Sequence, residues 1–69
     1  MAMVGRIVNW DEKHGFGLIE SSGIPERVFF HVRDMDVEAL PPFISERVVF
    51  DMERDLNGCG IAIHILPII

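Results

Sequence analysis

Residues 14–19 read "HGFGLI", and the choice of fold turns on them. A helix is disfavoured, because Gly15 and Gly17 would each cost about 1 kcal/mol against alanine. An ordinary core strand is poor too, since glycine in a strand interior packs nothing and loses more backbone entropy than any other residue. The alternation is the useful signal. Successive side chains of a strand point to opposite faces, so His14, Phe16 and Leu18 fall on one side and Gly15, Gly17 and Ile19 on the other. Glycines here let the sheet twist sharply and keep its surface low.

The same period of two continues outward from this stretch. Upstream, "VGRIVNW" (4–10) is rich in β-branched residues and stops at the polar turn "DEKH". The quoted motif lies in a second strand, "GFGLIES" (15–21), which "SSGIP" (21–25) ends with turn chemistry. "RVFFHV" (27–32) is a third strand. Residues 33–45, "RDMDVEALPPFIS", keep neither period, and the paired prolines forbid a continuous element. One short helical turn near Val37 to Leu40 is expected there. "ERVVFDMER" (46–54) and "IAIHILP" (61–67) are the fourth and fifth strands, joined by the turn "DLNGCG" (55–60). Five strands in so short a chain, divided three and two by the long connection, predict a closed or nearly closed barrel, because an open sheet would expose its edges. No repeat or linker is visible, so residues 1–69 are read as a single domain with core 4–66.

Composition narrows the function classes. With 49% hydrophobic and 25% charged residues the chain fits a folded globule. Its longest uncharged apolar run, "CGIAIHILPII", is far short of the roughly 20 residues that span a membrane, so no membrane partner is expected. The N-terminal residues have no long apolar segment of the secretory kind, and the lone Cys59 forms no internal disulfide, so the expected location is cytoplasmic. The cysteine and the three histidines lack metal-ligand spacing, and no nucleophile–base or carboxylate pair stands out. A non-enzymatic protein without metal or cofactor is expected. The net charge of −5 is the wrong sign for a nucleic-acid binder, although a single face can still be locally neutral.

The barrel interior needs apolar filling, and Ile19, Val28 and Phe30 supply it, together with Phe50. That assignment leaves Phe16, Leu18, Phe29 and His31 outward on adjacent strands. Exposed rings on neighbouring strands are platforms on which nucleobases stack, at about 1–3 kcal/mol per base.

These residues resemble a known family. "HGFGLI" is similar to the first ribonucleoprotein motif of the cold-shock domain, usually Lys-Gly-Phe-Gly-Phe-Ile, and "VFFH" (28–31) to the second, usually Val-Phe-Val-His. "SERVVF" (45–50) resembles the family's Gly-x-x-Val-x-Phe, and "AIHI" (62–65) its closing Ala-x-x-Val, so the likeness runs over residues 4 to 66. The resemblance implies an all-β, five-stranded antiparallel OB-fold barrel that binds single-stranded RNA or DNA. Family members serve as RNA chaperones or as transcription or translation regulators, and this chain looks like a divergent relative of the bacterial type. Phe16, Phe29 and His31 match the family's stacking residues. Trp10 falls one place late and matches the neighbouring phenylalanine, which leaves Asn9 in the tryptophan slot. The site expected from the resemblance is Trp10, Lys13, His14, Phe16, Leu18, Phe29, His31 and Arg33, with stacking by the rings and phosphates near Lys13, His14 and Arg33. Arg27 and Arg6 are further cations able to serve this face.

Departures from the family pattern predict a weakened grip. His14 replaces a phosphate-facing lysine, and an imidazole is charged only in mild acid. Leu18 replaces an aromatic and offers no π-face, Val32 replaces another, and Ser45 stands where the family prefers glycine. A second reading therefore stays open: a protein-interaction module on the same barrel, or a homodimer through an edge strand or the C-terminal tail "ILPII". Rival structural roles also remain, with Phe16 and Phe29 capping the barrel beneath the 33–45 loop and Trp10 as a partly buried ring at a strand end.

Overall fold

The computed structural model describes residues 2–68. Five strands, β1 (Met3–Asp11), β2 (Phe16–Glu20), β3 (Val28–His31), β4 (Arg47–Arg54) and β5 (Gly60–Pro67), close into a barrel in the order β1-β2-β3-β5-β4. Pairing is antiparallel except at the closing junction, where β3 and β5 run parallel with Phe29 opposite Ile61. Among the described residues every strand has a neighbour on each side, and the β3–β5 junction is the narrowest, a single residue pair.

The interior is the set that alternation predicts. Ile19, Val28 and Phe30 are fully buried, and Phe50 is 1% exposed. Ile7, Val48 and Ile65 complete the largest buried side chains. Strand β1 is long enough to serve two neighbours: Met3 to Arg6 pair with β4, and Arg6 to Asp11 pair with β2. Between Ile7 and Asn9 the register slips by one residue, a β-bulge. An extra residue inverts the parity of everything after it. Without it, Asn9 would share the interior face with Ile7 and Trp10 would point out. With it, Asn9 lies opposite Leu18 and Trp10 opposite Gly17.

Every strand differs from the sequence reading by one residue at one or both ends, and two of these shifts have a clear local cause. Gly15 adopts φ +78 and donates its N–H to the Asp11 carbonyl at 2.8 Å, so it closes the turn and β2 begins only at Phe16. Strand β3 ends at His31 because the His31 ring accepts the Arg33 N–H and caps a 3-10 turn over Val32–Asp34. A second 3-10 turn, Val37–Ala39, forms where a helical turn is predicted, capped by the Asp36 side chain.

The long connection lies along β5. Met35 bridges to Ile65, the Asp36 N–H donates to the Ile65 carbonyl at 2.8 Å, and Met35 and Ala39 are buried. At its end Ser45 sits at φ +76, the left-handed region where glycine is favoured, which explains physically why a glycine is preferred at this position. Of the C-terminal tail, Pro67 pairs with Val48, while Leu66 and Ile68 remain partly exposed; Ile69 lies outside the described residues.

Candidate nucleic-acid interface

Directly opposed residues of paired strands share a face. The register therefore builds the outer surface of β1, β2, β3 and β5 as rows. One row runs Asp11, Phe16, His31; the next runs Asn9, Leu18, Phe29, Ile61. The interior row between them is Trp10, Gly17, Phe30.

On the outer rows the rings meet. Phe16 and Phe29 sit diagonally, with centroids 5.2 Å apart and planes tilted by 36°. His14 lies outside the strand, yet its ring stacks over Phe16 at 5.9 Å and 26°. Asp11 holds it there. The Asp11 carboxylate accepts the Lys13 and His14 N–H groups through Oδ1 and meets His14 Nδ1 through Oδ2 at 2.8 Å. The hydrogen bond from the His14 ring keeps the Asp11 carboxyl below the usual carboxylate range, with its two turn N–H bonds acting in the same direction. At the far side of Phe16, His31 Nδ1 accepts the Arg33 N–H at 3.1 Å. That bond leaves the neutral ring's proton on Nε2, where it can be donated to a ligand.

Phe29 is 39% exposed. The 33–45 connection packs on β5 and leaves this ring uncovered, so capping beneath the loop does not account for it.

Trp10 is placed elsewhere, and its expected position on the stacking face is corrected. Its ring lies parallel to Phe30, 5.9 Å away with only 7° between planes, and packs against the core from the inner side of the sheet. The bulge in β1 is the cause, and Asn9 takes the outward place. Gly17 is also an interior matter. A Cβ there would collide with the Asn9 carbonyl and approach the Phe30 ring to 2.8 Å, so Gly17 makes room for the ring pair beneath it rather than lowering the outer surface.

The structure thus brings together His14, Phe16, Leu18, Phe29 and His31, with Lys13 and Arg33 exposed at the margin beside Phe16 and His31. Arg6 and Arg27 approach Glu20 at 3.7 and 3.9 Å, and Arg54 is paired to Glu26 at 2.8 Å. Lys13, Arg33 and Arg47 enter no ion pair among the described residues. Two residues of the face escaped the sequence reading. Asp11 could have been recognised as the side chain capping a tight turn, whereas Ile61 joins the row only through the parallel closure, which leaves no local signal.

The chain matches no protein-family model and no curated protein. Among solved structures its fold is similar to Drosophila Unr CSD456, with a TM-score of 0.86 and 23% identity over 100% of this chain. The chain spans 27% of the length of that structure's chain. The likeness shows the fold, a cold-shock-domain barrel of OB type.

Proposed function

We propose that this barrel binds single-stranded RNA or DNA, without enzymatic activity, by stacking bases on Phe16 and Phe29. One observation carries the reading. Two phenylalanine rings, 5.2 Å apart, lie on the outer face of a barrel whose interior is already filled by other residues. Aromatic surface left in water on a domain this small has no structural use that the core does not already meet. His14 extends the platform over Phe16, and His31 offers an Nε2–H to a base edge or a phosphate. Sequence preference is low, because any base has a π-face and few polar groups converge here. Binding of that kind suits an RNA chaperone or a transcription or translation regulator.

The affinity is modest. Leu18 stacks no base, and the two cations beside Phe16 and His31 are Lys13 and Arg33. Fluorescence anisotropy of a labelled oligothymidylate at low salt tests the proposal. Saturable binding is expected, with log K falling against log salt by about 0.7 for each phosphate neutralised. Absence of binding at low salt defeats it.

A further inference from the structure

The outer face does not stop at Phe29. One step further along β2 and β1 the next outward row is Arg47, Arg6 and Glu20, in register across β4, β1 and β2. Arg27 joins it through Glu20. Arg6 and Arg47 stand directly opposite each other on paired strands, an arrangement that repels. A single carboxylate, Glu20, serves both Arg6 and Arg27, and Arg47 has no ion-pair partner among the described residues. In a chain of net charge −5 this row carries three cations against one anion. Arg6, Arg47 and Glu20 line an open cleft of about 530 Å³, whose wall also holds Ser21 and Ser22.

We propose that Arg6 and Arg47 form a phosphate-binding extension of the aromatic platform, where the backbone of a single strand passes after its bases leave Phe29. Resting on the single-strand reading above, the inference adds a direction: the strand runs along β2 from Phe16 toward Glu20. Leu18 and Glu20 lie two positions apart on β2, about 7 Å of strand, so the rings and the arginines are contiguous. Arginine suits this role, since its planar donors grip phosphate oxygens in pairs. The cross-strand repulsion that costs stability in the free protein is relieved when a phosphate lies between the two guanidinium groups.

The test compares a short oligothymidylate of about four nucleotides with a long one of about ten, both within the site size of an OB fold. For wild type, the long strand binds more tightly and with the steeper salt dependence. In the double variant Arg6→Ala/Arg47→Ala the long strand weakens several-fold and its salt slope falls by about 0.7 per lost contact, while the short strand stays within about two-fold. Arg47→Ala alone, which leaves the Arg6–Glu20 pair in place, shows about half of the slope change. Glu20→Gln tightens the long strand only. Arg54→Ala removes a charge held by Glu26 elsewhere on the barrel and changes neither ligand. Equal loss for both lengths, or an equal loss in Arg54→Ala, overturns the extension and leaves the platform standing. Inorganic phosphate alone saturating the Arg6 and Arg47 resonances overturns it in favour of a free-phosphate site. Failure of wild type to bind either strand overturns the platform and the extension together.

Discussion

Two aromatic pairs lie on opposite sides of the same sheet, and they make different demands. Inside, Trp10 and Phe30 are almost parallel at 7°, with Phe30 fully buried and Gly17 vacated to admit its ring. Outside, Phe16 and Phe29 are tilted by 36° and partly in water. Similar chemistry therefore serves stability on one face and, on our reading, recognition on the other. What separates them is register, since one backbone presents alternate residues to the two sides.

The contrast can be broken most forcefully from within. Phe30→Ala is expected to destabilise the fold by about 3–5 kcal/mol, a large share of what so small a barrel can hold, and urea denaturation should show it largely unfolded at room temperature. Gly17→Ala inserts a methyl group against the Phe30 ring and the Asn9 carbonyl, and a loss of about 1–3 kcal/mol in the same assay is expected. From without, Phe16→Ala or Phe29→Ala should weaken oligonucleotide binding by about 1–3 kcal/mol each, with much smaller shifts in the denaturation midpoint. The two losses should be less than additive, because the rings touch.

Two changes away from both pairs sharpen the comparison by altering stability without touching binding. Ser45→Gly removes the cost of a left-handed backbone and should stabilise by up to about 1 kcal/mol, with the oligonucleotide affinity unchanged. Glu46 is buried, and desolvation raises its carboxyl pKa against the opposing bond from the Phe43 N–H. A carboxyl raised in the folded state binds its proton more tightly there than in the unfolded chain. Its burial therefore costs stability above the folded value, and the cost disappears as pH falls below the unfolded one. Glu46→Gln should raise the melting temperature slightly at pH 7 and by progressively less through the acidic range.

Much of this arrangement is legible in the sequence. Alternation in "HGFGLI" and "RVFFHV" placed Ile19, Val28 and Phe30 inward and Phe16 and Phe29 outward, because parity is a local property of a strand. The substitution of Ser45 at a glycine position was visible as an anomaly, and its meaning emerged as a positive φ. Trp10 was misplaced for an equally physical reason. A bulge after Ile7 inserts one residue, and nothing in "GRIVNW" marks where the count shifts. The parallel closure through Ile61 and the opposed arginines on β1 and β4 depend on pairing between distant segments, which periodicity within a strand does not encode.

The assignment of recognition to the outer pair is tested most directly by the dissociation constant of Phe16→Ala/Phe29→Ala for a single-stranded oligothymidylate at low salt. We expect it to rise at least about ten-fold over wild type, equivalent to about 1.4 kcal/mol, in a protein whose denaturation midpoint is nearly unchanged. An affinity within about two-fold of wild type, from a folded double variant, would contradict the account.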